Sequence, residues 1–533
     1  MTLNLANLYE AVAAAVPDRT AVICGERRLT FAELDRRASG LAHRIRAAGV
    51  EPGGHVGVQM LNGVEYVETL LACFKVRAVP VNINYRYTDR ELQYLYTDAN
   101  LVALVIDEDF TPAAARVAAD CPELRQVMVV RNEDEGEAVT WPDHVGLDDY
   151  DASPEATAPL AAERTADDRF ILYTGGTTGM PKGVVWRHED FYMAALRGGN
   201  HGGDPHLTSE SLVAAALAGT GIGYLITAPL MHGAAVYTLL TALFTGSSGI
   251  LMRRYDPIET LRLIDREKAT IVTVVGDAIA RPLADAVRAH GDEYDLGSWV
   301  VLGSGGAILS RSVQEELAEL RPGIFIMNAF GASESGADGS ISVGADGLMR
   351  LAPDPQVTVV DTGMKPVAPG SGETGYLART GHVPLGYHND PEKTARTFPV
   401  IDGTRWTVLG DLARIETDGS IVVLGRGSGC INTGGEKVFP EEVEQALKSH
   451  PAVMDALVAG VPDERFGERV AAVVEPRPGV AAPEIEELRT HCRTQLAGYK
   501  IPASITFTDA IVRSPSGKAD YRWAKRVLGG ATG

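Results

Sequence analysis

Tyr173-Thr-Gly-Gly-Thr-Thr-Gly-Met-Pro-Lys-Gly183 combines glycines, hydroxyls and one lysine at a density that suits a polyanion. Gly175, Gly176 and Gly179 allow backbone angles that other residues avoid, so successive N–H groups can turn toward one negative charge. Thr174, Thr177 and Thr178 add hydroxyl donors, and Lys182 adds a positive charge on a flexible stem. The natural guest is phosphate. The apolar runs on either side, Phe170-Ile-Leu-Tyr173 and Val184-Val-Trp186, read as buried strands, so the loop is a turn between them. The plain alternative is a hairpin, but two or three residues suffice for one. The spacing is neither that of a P-loop NTPase nor that of a dinucleotide-binding turn.

Outward from this loop, bulk properties narrow the class. With 533 residues the chain exceeds one ordinary core, so two or more domains are expected. A formal charge of −21 argues against nucleic acid and anionic lipid, both of which attract basic surfaces. Five scattered cysteines without Cys-x-x-Cys spacing disfavour a disulfide framework and a zinc site, and fit a reducing cytoplasm. The N-terminal residues lack a basic stretch followed by an apolar one, so export is not indicated. The apolar stretch from Leu212 to Leu230 approaches membrane-spanning length, but Gly219, Gly221 and Gly223 interrupt it. It reads as core beside a cavity, and no integral membrane span is expected.

Helix and strand patterns alternate through the first third: helical spacing over Leu34, Ala38, Leu41 and Ile45, a strand at 56–60, a helix at 64–74, a strand at 78–83, a helix at 91–99 and a strand at 101–106. This series predicts a layered α/β domain with parallel strands. Between Asn132 and Asp168 the chain turns acidic and rich in Ala, Pro and Asp, as a surface excursion would. After Gly425-Arg-Gly-Ser-Gly429 short units restart, helix-like at 440–449 and strand-like at 453–461. The expected organisation is a large α/β domain over 1–426 and a small, mobile α+β domain over 427–533.

Downstream segments add chemistry. Asn328-Ala-Phe-Gly-Ala-Ser-Glu334 offers Phe330 to stack on a purine, a tight turn at Gly331, Ser333 to bond a phosphate oxygen, and Glu334 to hold Mg²⁺, a hard cation that prefers oxygen. A helix-capping serine with a solvated glutamate is the alternative. Asp411, between Trp406-Thr-Val-Leu409 and Ala413-Arg-Ile415, reads as a carboxylate that a buried strand delivers to the end of a sheet, where ribose hydroxyls are its partners. A bare turn aspartate is the other reading. The glycine-dense run Gly425 to Lys437 suits a hinge, which must absorb large backbone changes, or a passive linker. Lys518, in Arg513-Ser-Pro-Ser-Gly-Lys518, follows a glycine turn from which it could reach a shared cleft.

In this order the segments resemble the motifs of the adenylate-forming superfamily: acyl-CoA synthetases, peptide-synthetase adenylation domains and luciferases. Departures are mild: Gly175 stands for the usual Ser, Ser333 and Leu409 for Thr, and Gly429 for the usual Asp or Lys of the pivot. The resemblance implies an ATP-dependent acid–thiol ligase that joins a carboxylic acid to AMP and then to CoA, with ATP, Mg²⁺ and CoA as cofactor and co-substrates. It implies that Thr174 to Gly179, Lys182, Gly305, Gly306, Ala307, Asn328, Phe330, Gly331, Ser333, Asp411 and Arg426 bind ATP or AMP, and that Glu334 and Thr178 hold the metal. His232, in Pro229-Leu-Met-His-Gly233, would gate the acyl pocket beside Tyr224 and Gly305. A core histidine is the alternative. Arg426, Gly427, Ser428 and Gly429 would form the hinge, and Gly434, Gly435, Glu436 and Lys437 the CoA side. Lys518, with Lys182, Glu334 and His232, would be catalytic, countering charge at the α-phosphate.

Phe74-Lys-Val-Arg-Ala-Val-Pro80, Arg187 and the Gly425–Lys437 run are similar to actinobacterial ligases acting on steroid side chains and fatty acids. The acid is thus expected to be bulky and hydrophobic, with the glycines from 219 to 223 leaving room for it or packing tightly. A ligase competent in one half-reaction, a luciferase-like oxygenase and an enzyme loading a carrier protein are the alternatives. A homodimer stays open.

Overall fold

The computed structural model describes residues 2–132, 139–153, 160, 163–175, 180–344, 348–426, 429–433, 436–463, 467–513 and 518–529, with the side chains of Arg426 and Lys437 excepted. Gly176, Thr177, Thr178, Gly179, Gly427, Ser428, Gly434 and Gly435 therefore lie outside the described residues.

Two large sheets form the first 426 residues. In one, the strands His55–Gln59, Val79–Asn82 and Leu101–Asp107 pair in parallel, as the alternating pattern predicts. Their crossovers are the helices Val64–Val76 and Asp89–Asp98. The acidic excursion contributes an exposed edge strand of this sheet, Gly146–Asp149. At the other edge Arg169–Thr174 pairs antiparallel with Lys182–Arg187, Thr174 opposite Lys182, so the glycine-rich loop joins two ladder-bonded strands. A two-residue strand, Gly386–Tyr387, extends the sheet with Tyr387 opposite Val184. That register sets Tyr387 beside the first residues of the strand that begins at Lys182.

The second sheet has a parallel half, built on Gly223–Ile226, Ile271–Val274, Val301–Ser304 and Phe325–Ala332, and an antiparallel half that continues through Gly336–Val343 to Thr407–Ile415 and Ile421–Arg426. Local chemistry explains the elements. Thr30 and Glu33 close a reciprocal capping box at the start of the helix Phe31–Ala47. The apolar run from Leu212 becomes the helix Ser209–Ala218 and the strand Gly223–Ile226, and no helix among the described residues is long and apolar enough to cross a membrane.

Beyond residue 430, the strands Ile431–Thr433, Glu436–Val438, Val453–Asp463, Gly467–Pro476 and Ser504–Phe507 form a separate sheet. It packs with the helices Pro440–Lys448 and Ile485–Arg493 around a core of its own, including Val443, Leu447, Val458, Val470, Val474 and Leu488. This unit rests on the helices Gly276–His290 and Arg311–Leu320 of the larger part. There Lys448 lies 3.4 Å from Asp277, both buried, Arg477 pairs with Asp285 at 3.1 Å, and Ser312 Oγ donates to Lys448 O.

Candidate active site

The site is built where the edge of the first sheet meets the hairpin between the two halves of the second. Asn328 to Ala332 lie on the strand Phe325–Ala332, and Ser333 to Ser335 turn the chain into Gly336–Val343. The turn is tight: a Cβ on Gly331 would sit 2.0 Å from Gly336 O, and Gly336 itself has φ +79° against the backbone of Ala194. The segment is thus a β-hairpin, and Ser333 caps no helix. Ser335 Oγ bridges the hairpin, accepting from Ala332 N and donating to buried Asp338, which is paired with Arg379 at 3.0 Å.

Long-range hydrogen bonds fix this turn against the phosphate-loop strands. Fully buried Trp186 donates through Nε1 to Ser333 O at 2.9 Å, and Thr407 Oγ1 donates to Glu334 O at 3.2 Å. Tyr387 donates its hydroxyl to Glu334 Oε1 at 2.9 Å. The ammonium of Lys182 lies 5.3 Å from the Tyr387 ring centroid, which places Lys182 and Glu334 around one side chain. Burial and neighbouring Lys393 bring the Lys182 ammonium down to about 8.

Asn82, buried at the end of Val79–Asn82, ties the loop's entry strand to the histidine segment. Its Nδ2 donates to Tyr173 O at 2.9 Å and to Met231 O at 2.6 Å, and its Oδ1 accepts from Tyr173 N at 2.7 Å. His232 then sits at the N-cap of the helix Gly233–Phe244. A Cβ on Gly233 would come within 3.6 Å of Ser333 Oγ, and one on Gly306 within 3.7 Å of Ala234 Cβ. His232, Ser333 and the Gly305-Gly306-Ala307 turn therefore share one neighbourhood. Asn328 belongs to it as well: it is buried, and neither Oδ1 nor Nδ2 of its amide has a partner among the described residues. Unpaired buried amides are costly, and this one leaves a donor and an acceptor free within the site. Phe330 is half-buried and packs one side against the core of the antiparallel half.

Two expectations change. Asp411 does not stand at the end of a buried strand: it is half-buried within Thr407–Ile415, opposite Arg426, where Gly410 at φ +88° and a shift of register break the pleat. A bulge, rather than a sheet end, re-aims its carboxylate. Tyr224 is not gathered with His232 and Gly305. Its neighbour is Thr245, just past the end of the helix Gly233–Phe244, whose 12 residues span about 18 Å. Of the glycines from 219 to 223, Gly223 packs closely, since a Cβ there would meet Ile250 at 2.9 Å, while Gly221 and Gly223 also line an open cavity of about 420 Å³ with Thr20, Arg28 and Ser248. Lys518 is exposed, next to the bridge between Arg513 and Ala519, and Glu436 and Gly429 are exposed as well.

No group of three or more His, Cys, Asp or Glu among the described residues forms a metal cluster. Glu334 nevertheless suits Mg²⁺, because its carboxylate is oriented through one oxygen by Tyr387, and that ion takes most of its ligands from phosphate oxygens and water. The other expected ligand, Thr178, lies outside the described residues.

Comparison with known proteins identifies the family. Residues 9–388 match the family described as AMP-binding enzyme, and residues 442–518 match AMP-binding enzyme C-terminal domain. A 3-oxocholest-4-en-26-oate–CoA ligase of Rhodococcus rhodochrous is 42% identical over 99% of this chain and 96% of its own. A medium/long-chain-fatty-acid–CoA/3-oxocholest-4-en-26-oate–CoA ligase of Mycobacterium marinum is 43% identical over 98% of this chain and 96% of its own. Among solved structures, ATP-bound MatB from Rhodopseudomonas palustris superposes with a TM-score of 0.80 at 27% identity, covering 99% of both chains.

Proposed function

The chain belongs to the AMP-binding enzyme family, and from that premise we propose that it is an AMP-forming acyl-CoA ligase for a bulky hydrophobic carboxylic acid. An acid cannot pass directly to a thiol, because oxide is too poor a leaving group. A carboxylate oxygen therefore bonds to the α-phosphorus of ATP while the bond from that phosphorus to the bridging oxygen breaks, and pyrophosphate leaves. The CoA thiolate then attacks the acyl carbon and expels AMP.

The residues divide this work. Lys182 offsets charge on the departing pyrophosphate, Glu334 presents a carboxylate toward the phosphates, and Asp411 accepts from the ribose. The Asn328 amide reads the base, and His232 stands between the nucleotide and the acyl group. Mg²⁺ bound at Glu334 would neutralise phosphate charge. The large domain is assigned to 1–426 and the mobile one to 427–533, which carries Lys518 for adenylation and Glu436 for thioester formation. Five free cysteines suit a reducing cytoplasm, where ATP and CoA are supplied.

The observation that carries this reading is the convergence of Lys182 and Glu334 on Tyr387, with the unpaired Asn328 amide on the strand that leads to the Glu334 turn. The steroid and fatty acids in the names of the two ligase relatives, each aligned over nearly the whole chain, support a hydrophobic acid. The test is a panel of fatty and steroid acids with ATP, Mg²⁺ and CoA, with acyl-AMP and acyl-CoA measured separately by mass spectrometry. Both products from a hydrophobic acid are expected. Acyl-AMP without acyl-CoA, when CoA is saturating, would reject the CoA-ligase reading.

A further inference from the structure

The phosphate side of the site holds a second cation. Lys393 lies on the short helix Pro391–Thr397, and its ammonium sits 5.9 Å from the Tyr387 ring centroid, the same ring that Lys182 approaches at 5.3 Å. The two lysines are far apart in the chain, and three features of the fold bring them together. Gly386–Tyr387 pairs with Val184–Val185. Tyr387 N donates to Thr394 Oγ1 at 2.8 Å, which docks the helix onto that strand. Asp390 caps the helix by accepting from Lys393 N at 2.9 Å, which sets the first turn and the direction in which Lys393 leaves it.

Both side chains are half-buried, so two like charges share a site poorly screened by water. Two carboxylates, Glu334 and Asp390, offset part of this charge, each held in place by a bond of its own, Glu334 from the Tyr387 hydroxyl and Asp390 from the helix backbone, yet burial and Lys393 still lower the Lys182 ammonium. An aromatic face is a modest partner for an ammonium and does not by itself account for two on one ring. A ligand with several negative charges does, since each lysine lowers the cost of the other once the anion is present. Lys182 opens the strand directly after the glycine-rich stretch of sequence, so on the ATP-dependent reading the anion shared by the two lysines is the polyphosphate of ATP.

We propose that Lys393 is a phosphate-binding residue of the adenylation site that acts with Lys182 to hold the polyphosphate of ATP and the departing pyrophosphate. This rests on the ATP-dependent reading above and adds to it a residue outside the glycine-rich loop. Because AMP lacks the β- and γ-phosphates, Lys393 distinguishes ATP and pyrophosphate from AMP.

The experiment is calorimetric titration of the full chain with magnesium pyrophosphate and, separately, with AMP, using wild type, Lys393→Met, Lys393→Arg and Lys182→Met. Lys393→Met is expected to weaken pyrophosphate about tenfold, the loss of one charge-assisted contact, with AMP unchanged. Lys393→Arg should stay within about threefold of wild type, because the charge is kept. Equal pyrophosphate affinity in wild type and Lys393→Met overturns the proposal. So does an equal loss of AMP, which marks a structural effect of the helix. Failure of the ATP-dependent reading looks different: wild type then binds neither probe, and Lys182→Met matches it.

Discussion

Lys182 must stay charged in surroundings that disfavour charge. Burial, then Lys393, lower its ammonium to about 8, so the free enzyme loses this cation as pH rises through that value, well before an ordinary lysine would. Bound polyphosphate opposes the loss and holds the proton on. The expected outcome is that kcat/KM for ATP falls above about pH 8, while kcat holds to higher pH. Lys393→Met removes a neighbouring positive charge and moves the falling limb upward, and Lys182→Arg removes the limb below about pH 10. A wild-type kcat/KM that stays level to about pH 10 would count against this account. Lys182, Glu334 and the Asn328 segment were legible because glycines, hydroxyls and charges stand close together in the chain. Tyr387, Lys393 and Asn82 were not, since each acts across a long sequence separation, Asn82 on Met231 at 149 residues. One signal was present for Lys393: Asp390-Pro391 is a helix-start pattern, which announces the element though not its partner.

The strands and helices of the first sheet follow hydrophobic period closely, and their parallel order follows from alternation. What period does not encode is which edge a two-residue strand such as Gly386–Tyr387 will join, or that Asp411 falls on a bulge. Those depend on backbone groups finding partners after the layers assemble. Asn82 shows how much such a connection carries, because one amide accepts from the Tyr173 N–H and donates to two buried carbonyls. Asn82→Ala should leave these groups unpaired and cost about 2–4 kcal/mol of stability, read by urea unfolding. It should also lower both half-reactions by about tenfold or more, since the strand entering the glycine-rich loop and the His232 segment lose their common anchor. Unchanged acyl transfer from supplied acyl-AMP, with impaired adenylation, would show that the anchor serves only the phosphate side.

The two units of the molecule meet at a seam rich in charge, and this arrangement leaves Lys518 exposed. If Lys518 serves adenylation alone, Lys518→Ala should cut acid-dependent pyrophosphate release about a hundredfold and spare most conversion of supplied acyl-AMP to acyl-CoA. Equal loss of both steps would refute that division. If the small unit moves between the two steps, the seam must open, and Glu441 is placed to make that opening depend on pH. Its carboxylate lies where a Cβ on Gly425 would come within 2.5 Å of Oε2. Burial, then Glu444, Asp411 and Glu442, raise it to about 8, from an ordinary value of 4.5. The docked state therefore keeps a proton that the opened state releases, so docking weakens as pH rises from about 4.5 to 8 and levels off above that. Glu441→Gln, neutral at every pH, removes the dependence. Hydrogen exchange along the helix Pro440–Lys448 should be slower in the variant than in wild type at about pH 8, and the gap should shrink steadily as pH falls toward about 4.5. A ratio that does not change with pH would place the opening elsewhere on the seam.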